Sequence, residues 1–399
     1  MALLAMEGGQ PIRHELLPYG HHWISDEDVA SVVSSLRSNW LTTGPCVAEL
    51  EQAFADVAGT REAVAVSSGT AALHCVMAAL GVGPGDEVIV PALTFVATAN
   101  AIVFQGAQPV FADVESDTLL IDPAAAEALV TPRTRAIIAV DYAGQPCDYG
   151  RLRQIASHHG LALIADACHS LGGHEHGRVV GGLADLSTFS LHPVKAIAAG
   201  EGGMVSCDDP ALAARMRRFR NHGIDSDLRQ REQRGSWYYE MMELGYNYRL
   251  SDIQCALALS QLQRLGVFVA RRQALATRYD RDLDALPGLQ PLARRPGCGH
   301  AYHLYVVQLV LERLRADRGT ILQALRAEGI GVNVHYLPVY LHPFYRKHFG
   351  TEPGLCPVAE AAYERLLTLP LFPAMSDADA ADVCMACAKV LGAFEVSVG

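Results

Sequence analysis

Lys195 is the residue whose surroundings indicate chemistry most clearly. Asp166 lies 29 residues upstream of it, where the apolar run Leu161–Ala165 ends, and a Ser68-Gly69-Thr70 turn precedes both. A lysine amine can form a Schiff base with an aldehyde, and a buried carboxylate can hold a protonated pyridine nitrogen. The three features together indicate a site for pyridoxal phosphate.

Small and apolar residues, rather than other charges, surround Lys195 in the sequence. Such a setting lowers the pKa of an amine toward neutrality and frees its lone pair, which a Schiff-base lysine needs and a surface lysine does not. The glycine-rich stretch Gly200–Gly203 predicts close backbone packing near a ligand. Glu201 within that stretch equally fits a structural ion pair.

The Ser68-Gly69-Thr70 turn stands at the predicted start of a helix over Ala71–Leu80. Free N–H groups and the positive end of the helix suit a phosphate there, and Gly69 permits a close approach. The same tripeptide is also an ordinary N-terminal helix cap. Taken alone, the turn leaves phosphate binding and helix capping both open.

Asp166 and His169 each have a structural and a functional interpretation. Asp166 can cap a helix or join an ion pair, but an acid at the carboxyl end of a strand is also well placed for a ligand cation. His169 can be a core histidine. Beside Asp166 it is also a candidate partner for the phenolic oxygen of the cofactor.

These residues need a scaffold that brings them together, and the sequence predicts an α/β one. Strand patterns alternate with helical patterns, which favours a largely parallel sheet buried on both faces. Such sheets bind ligands at the carboxyl ends of their strands, where Ser68-Gly69-Thr70, Asp166 and Ser190 fall. The predicted strands are Val64–Val66, Glu87–Val90, Pro109–Asp113, Ala136–Val140, Leu161–Ala165, Leu186–Ser190 and Gly203–Ser206.

The pattern of predicted helices, strands and loops changes after about Arg271. A long apolar helix, Leu250–Leu265, precedes the change, and a loop with Pro and Gly, a strand at Tyr305–Leu309 and a helix at Thr320–Glu328 follow it. We therefore expect an N-terminal segment over 1–20, a large cofactor-binding domain over 21–270 and a smaller α/β domain over 271–399.

Charge and composition narrow the choice of partners. The chain of 399 residues has a formal net charge of −11, so we expect no nucleic-acid partner. One basic run, Arg215 to Arg220, is followed by Arg229, Arg231 and Arg234. It is either a solvated helix face or an electropositive rim for an anionic substrate.

The ten cysteines have no disulfide-like spacing, and the Cys384 and Cys387 pair lacks the second pair of a zinc site. The first residues lack the basic start and apolar run of a secretory signal, and no apolar stretch reaches about 18 residues. We therefore expect a cytoplasmic protein with reduced thiols, no bound metal and no membrane partner.

Several longer motifs occur along the chain in a fixed order. They are Trp40–Pro45, Ser67–Leu73, Pro91–Thr98, Tyr142–Gly144, the Asp166 and Lys195 segments, Gly245–Leu250 and Val334–Tyr336. From about Tyr19 to Met375 the chain resembles the sugar aminotransferases of the DegT/DnrJ/EryC1/StrS family. The resemblance implies the fold-type I architecture of pyridoxal-phosphate aminotransferases.

The resemblance also implies roles for single residues. Lys195 is then the Schiff-base lysine, Asp166 the partner of the pyridine nitrogen, and His169 a neighbour of the phenolic oxygen. The implied cofactor-binding residues are Gly69, Thr70 and Ser190 at the phosphate, Phe95 on the ring, Asp166, His169, Lys195 and, from the neighbouring subunit of a homodimer with shared active sites, Asn247.

The sugar-nucleotide pocket is implied in the same way. Leu17–Gly20, Asp141–Pro146 and Val334–Tyr340 resemble the branch of the family that serves pseudaminic acid biosynthesis, which implies L-glutamate as donor and C4 of a UDP-linked 4-keto-6-deoxy-N-acetyl hexose as acceptor. Two stretches depart from the family pattern: Ala196–Ala199, where many relatives begin with a polar residue, and Asp225–Tyr239. The implied pocket residues are Tyr19, Asn39, Trp40, Leu41, Thr42, His335 and Tyr336.

Other functions remain open within and beyond this family. The nearest is another nucleotide-sugar aminotransferase, of the 4-aminoarabinose, perosamine or bacillosamine type, and a more distant one is a non-catalytic relative. Lys195 argues against the deoxysugar dehydratases of the family, which usually carry His there. The lack of a Gly-x-Gly-x-x-Gly motif after an early strand disfavours a nicotinamide enzyme.

Overall fold

A seven-stranded sheet forms the centre of the protein. The computed structural model describes residues 3–226, 231 and 235–396. Its strands are β1 (Glu62–Val66), β2 (Glu87–Pro91), β3 (Gln108–Ala112), β4 (Thr134–Val140), β5 (Ala162–Asp166), β8 (Leu186–Ser190) and β9 (Gly203–Cys207). They lie side by side in the order β1-β9-β8-β5-β4-β2-β3.

The sheet is largely parallel, as the sequence predicts. Strands β8, β5, β4, β2 and β3 run parallel to one another, whereas β9 pairs antiparallel with both β8 and β1. All residues of β2 and β9 are buried, because helices cover both faces of the sheet. The seven predicted strands are confirmed, each within about two residues of its observed bounds.

Helices connect the strands and cover the sheet. Ser25, Ser68, Ser251 and Ser376 cap four of them, each accepting a hydrogen bond from the first turn of its helix. The α-helices are Asp26–Arg37, Pro45–Ala58, Gly69–Leu80, Val96–Phe104, Pro123–Ala128, Tyr149–His159, Pro210–Phe219, Asp252–Gln263, Leu265–Leu283, Arg318–Ala327, Pro343–Phe349, Pro357–Tyr363 and Asp377–Phe394.

The apolar stretch predicted as one helix over Leu250–Leu265 is interrupted. One helix ends at Gln263 and the next begins at Leu265, with a bend of 58° between them. Arg264 leaves helical geometry at φ −100° and ψ 1°, and its guanidinium bonds the buried Asp28 carboxylate at 3.3 Å. No single helix of the described chain has the length and apolar character to cross a membrane, and only this bent pair meets that test jointly.

A second group of strands and helices lies toward the C-terminus. It contains the antiparallel sheet β10 (Leu289–Pro291), β12 (Tyr305–Leu309) and β13 (Leu366–Leu369), and an apolar cluster of its own. A third, small sheet pairs β11 (Cys298–Gly299) with β6 (His174–Glu175) and β6 with β7 (Arg178–Val179). The helix Leu265–Leu283 is continuous across position 270, where the sequence predicts the boundary between the large and the small domain. The division into 1–20, 21–270 and 271–399 stays a prediction.

The N-terminal segment is tied to this second group. Leu17 accepts a hydrogen bond from the Gly331 N–H at 2.7 Å, and the Tyr19 carbonyl accepts from the Leu371 N–H at 3.0 Å. These bonds fix the backbone of Tyr19.

The ten cysteines all lie in the described ranges and all are unpaired.

Gly203 allows the close contact between β9 and the turn after β1. A Cβ atom at this position would lie 2.2 Å from the Ser68 carbonyl oxygen. We therefore expect Gly203→Ala to lower the free energy of unfolding by about 1–3 kcal/mol, as overpacking does. Urea unfolding measures the change.

Gly83→Ala is the control for this substitution, because a Cβ there meets nothing within 4 Å. It should change stability by less than about 0.5 kcal/mol. Equal stability of Gly203→Ala and Gly83→Ala would contradict the proposed clash.

Candidate active site

Asp166 is the last residue of β5, and it is buried at the carboxyl edge of the sheet. Thr98 donates a hydrogen bond from Oγ1 to Asp166 Oδ2 at 2.7 Å, and the Cys168 N–H donates to Oδ1 at 3.3 Å. This carboxylate forms no ion pair within the described ranges. Burying a charge is costly unless it is paired, so this position suits a ligand cation.

Lys195 lies in the loop after β8, and burial lowers the pKa of its amine. Its Nζ lies 3.5 Å from His303 Nε2. The backbone of the loop is fixed by the Lys195 N–H, which donates to the His192 carbonyl at 2.9 Å. The lowered pKa makes the neutral, nucleophilic amine accessible nearer to neutral pH.

His169 and His303 form a pair of buried rings, with centroids 4.3 Å apart. Burial lowers the pKa of both imidazoles well below the usual value, and the nearby Lys195 amine adds to the effect. His169 Nε2 lies 3.3 Å from the Tyr336 hydroxyl. The Nδ1 atoms of both rings lack a hydrogen-bond partner in the described structure, so both are free to bind a ligand atom or a water.

The Ser68-Gly69-Thr70 turn caps the helix Gly69–Leu80. Ser68 Oγ accepts from the Ala71 N–H at 3.1 Å, which leaves the N–H groups of Gly69 and Thr70 at the open end of the helix. A Cβ on Gly69 would lie 2.9 Å from Ser190 Cβ, so the ends of β1 and β8 approach closely here. Capping and phosphate binding are therefore compatible: the Ser68 side chain caps the helix, and the free N–H groups suit an anion.

One cavity of about 520 Å³ joins these groups. Phe95 lies at its wall and is 55% exposed, with its ring centroid 5.9 Å from that of Tyr336. Burial lowers the pKa of His335 to about 4, so this imidazole is neutral at pH 7. The predicted site residues that line the cavity are Tyr19, Gly69, Thr70, Phe95, Asp166, His169, Ser190, Lys195, His335 and Tyr336.

Five predicted site residues do not line this cavity: Asn39, Trp40, Leu41, Thr42 and Asn247. The Leu41 carbonyl accepts a hydrogen bond from the N–H of Asp252 at 3.0 Å, so the loop lies at the start of the helix Asp252–Gln263. Asn247 is exposed and precedes the same helix. Their roles in binding stay predictions, and within one chain they form a separate surface.

Three arginines of the basic run before residue 221 form ion pairs with carboxylates of the same chain. Arg217 bonds Glu51 and Glu62, Arg218 bonds Glu243, and Arg220 bonds Glu51. These contacts favour the structural interpretation of the run. Behind it, Arg231 donates to the Ser226 carbonyl, whereas Arg229 and Arg234 lie outside the described residues.

Two residues of the site were not among the site residues predicted from the sequence. Thr98 bonds Asp166 from the helix after β2, and only its place in the Pro91–Thr98 motif marked it. His303 reaches Lys195 from the segment before β12, 108 residues further along the chain. The contact between Lys195 and His303 depends on tertiary packing alone.

The residues at this cavity fit pyridoxal phosphate. Lys195 would hold it through its amine, Asp166 would face the ring nitrogen, and the N–H groups of Gly69 and Thr70 would bind the phosphate. The orphaned Nδ1 of His169 is a polar atom that a ligand oxygen can satisfy. When bound, this cofactor supplies an aldehyde that takes up an amino group and a ring that accepts electrons.

Comparison with known proteins agrees with this fold. Residues 23–388 match the model of the DegT/DnrJ/EryC1/StrS aminotransferase family. The match spans most of the chain, and the protein therefore belongs to that family.

Relatives of known sequence or structure cover nearly the whole chain. Spore coat polysaccharide biosynthesis protein SpsC of Bacillus subtilis (strain 168) is 43% identical over 374 residues, which are 93% of this chain and 96% of SpsC. Spr1654 of Streptococcus pneumoniae, assigned as a sugar aminotransferase and solved in its PMP form, has a TM-score of 0.89 and 33% identity over 94% of this chain and 99% of its own.

A further solved structure is PseC of Helicobacter pylori, an aminotransferase involved in the biosynthesis of pseudoaminic acid. It has a TM-score of 0.89 and 31% identity, covering 95% of this chain and 100% of its own. The predictions of a fold-type I architecture, of aminotransferase activity on a sugar and of pyridoxal phosphate as cofactor are thereby confirmed.

We expect Lys195→Ala to abolish amino transfer, because no other amine takes the place of its Nζ in the described cavity. The purified variant should also lose the visible absorption of the bound cofactor on dialysis, which the wild type retains. Lys347→Ala, at an exposed lysine, should behave as the wild type. Transfer by Lys195→Ala at a near wild-type rate would show that the assignment is wrong.

We expect Asp166→Asn to bind cofactor but to lose more than about a hundredfold in kcat, because the neutral amide no longer favours a protonated ring nitrogen. Thr98→Val, which removes one bond to the same carboxylate, should lose about tenfold. Steady-state kinetics and the unfolding midpoint are measured together. A mild loss in Asp166→Asn with a large loss of stability would instead indicate a structural role.

Proposed function

We propose that this protein transfers an amino group from L-glutamate to C4 of a UDP-linked 4-keto-6-deoxy-N-acetyl hexose, in a route of the pseudaminic acid type. The observation that carries the catalytic part is a half-buried lysine amine of lowered pKa in the same cavity as a buried carboxylate that has no ion-pair partner among the described residues. Family membership supports a sugar as the acceptor.

Lys195 Nζ is the group that moves protons in this proposal. With cofactor and donor bound, the neutral Nζ would take the proton from the donor Cα as general base and return one as general acid. His303 Nε2, 3.5 Å away, is within reach of the free amine. Asp166 holds the proton of the ring nitrogen while negative charge develops.

The side chains that the C-terminal group contributes to the cavity favour a sugar substrate. His335 and Tyr336 enter the cavity there, and Tyr19 packs on His335 with ring centroids 5.3 Å apart. His335 Nδ1 lies 2.8 Å from Thr368 Oγ1, and the Tyr142 hydroxyl donates to the His335 carbonyl. Rigid aromatic and hydroxyl groups of this kind suit the faces and hydroxyls of a sugar.

The choice of acceptor rests on sequence motifs. Leu17–Gly20, Asp141–Pro146 and Val334–Tyr340 favour the pseudaminic acid branch, and the overall likeness to PseC is compatible with it. A second candidate is an aminotransferase that acts on another nucleotide-linked sugar for a surface polysaccharide. The higher identity to SpsC, 43% against 31% for PseC, favours this second candidate.

A homodimer with shared sites is part of the proposal. The segment from Trp237 to Leu244 is rich in exposed apolar side chains, and Trp237 is 85% exposed. Asn247 follows this segment, and Gln254 close by donates to the carbonyl of Glu201, which lines the cavity. A second copy that covers this surface would bring Asn247 and the loop 39–42 toward the mouth of a cavity.

Mixing two inactive variants tests the shared site. Lys195→Ala and Asn247→Ala subunits should each be impaired alone. In a mixed dimer one site carries both lesions and the other neither, so activity should return to as much as about a quarter of the wild-type value per subunit after full exchange. No recovery after verified subunit exchange would contradict a shared site.

A substrate panel tests the acceptor. The enzyme is incubated with L-glutamate and with UDP-, GDP- and dTDP-linked 4-keto sugars, and the products are analysed by mass spectrometry. We expect amination of the UDP-linked 4-keto-6-deoxy-N-acetyl hexose. Exclusive amination of a GDP- or dTDP-linked sugar would overturn this acceptor and leave the aminotransferase class intact.

A further inference from the structure

Asp141 binds both ends of the short segment that carries Asp166 and His169. Its backbone N–H donates to the Asp166 carbonyl at 3.1 Å. Its side-chain Oδ2 accepts from Ser170 Oγ at 2.6 Å, and Ser170 directly follows His169. One residue at the end of β4 therefore holds the segment 166–170 at its first and last residue.

The Asp141 carboxylate itself is fully buried, and a second segment of the chain also bonds it. Its Oδ1 accepts from the Cys147 N–H at 2.9 Å and from the Tyr149 hydroxyl at 2.8 Å. Three donors from two directions fix the orientation of the carboxylate, so Ser170 bonds to a rigid acceptor. Asp141 does not line the cavity, so contact with a ligand does not explain why a carboxylate is buried at this position.

The turn that starts at Asp141 also holds the other wall of the site. The Ala143 carbonyl accepts from the Leu304 N–H at 3.1 Å, next to His303. Gly144 has φ +106°, and a Cβ on it would lie 2.8 Å from the His169 carbonyl oxygen and 2.9 Å from the His303 nitrogen. The turn therefore packs closely against the backbones of both buried histidines, His169 and His303.

We propose that Asp141 is a positioning residue for amino transfer, and that it acts through Ser170 on the segment carrying Asp166 and His169. Small displacements of groups that hold a cofactor reduce rates strongly while leaving overall binding nearly intact. The proposal rests on the aminotransferase activity and on the glutamate donor proposed above.

Ser170→Ala and Tyr149→Phe form a matched pair of variants. Each removes one hydroxyl from the same carboxylate, but Ser170 belongs to the site segment and Tyr149 starts the helix Tyr149–His159 outside the cavity. We expect similar losses of the unfolding midpoint. Ser170→Ala should also lower kcat about tenfold, keep KM for glutamate within about twofold and shift the pH at which the visible cofactor band changes. Tyr149→Phe should keep kcat within about twofold of the wild type and leave the band unchanged, because the Cys147 N–H still holds Oδ1.

Equal losses of kcat in Ser170→Ala and Tyr149→Phe would overturn the proposal, as would a Ser170→Ala enzyme with wild-type kcat and cofactor band. A wild-type enzyme that does not react with glutamate would instead contradict the proposed donor. The two failures are distinguishable, because glutamate changes the visible band of the wild type before any sugar is added.

A second pair of variants keeps the test decisive if Ser170→Ala does not fold. Asp141→Asn retains an oxygen for Cys147 and Tyr149 and an amide that Ser170 Oγ can bond, whereas Asp141→Leu retains neither. Positioning predicts that kcat and the pH response of the band are largely rescued in Asp141→Asn relative to Asp141→Leu. Equal loss in both variants would mean that charge, not hydrogen bonding, is required, and the proposal would be wrong.

Discussion

The site depends on a buried carboxylate, Asp166, that has no ion-pair partner among the residues that the structure describes. Asp166 is 6% exposed and is held by Thr98 and the Cys168 N–H, and neither neutralises its charge. A fold tolerates such a group when hydrogen bonds fix it and a ligand supplies the opposite charge. The same burial lowers the pKa of Lys195. One partly enclosed cavity therefore holds both the nucleophile and the partner of the ring nitrogen.

The parallel sheet makes this arrangement possible. The ends of β1, β5 and β8 lie at one edge because these strands point the same way, so the helix start after Val66, Asp166 and Ser190 meet there. Strand β9 runs the other way between β1 and β8, and Gly203 lets the turn at Ser68 approach it. The C-terminal group closes the cavity with His303, His335 and Tyr336.

The turn 141–144 connects these two halves. It bonds the segment of Asp166 through Asp141, the segment of His303 through Ala143 and the carbonyl of His335 through Tyr142. Because a single turn bonds three segments that line the cavity, it fixes their positions relative to one another. Proton transfer between side chains requires such fixed positions. A polar network inside the fold thus sets the geometry of a site that it does not itself line.

The sequence alone determined the strands, the helix cap at Ser68 and the residues that end β5 and β8, because these follow from local patterns of apolar residues, glycine and caps. Motifs in fixed order also identified the family. Tertiary structure alone decided that Thr98 bonds Asp166, that His303 lies beside Lys195 and that Asp141 holds Ser170. These contacts join residues 29 to 108 positions apart, and no local pattern encodes which distant side chains packing brings together. It also decided that the loop 39–42 and Asn247 do not line the cavity of their own chain.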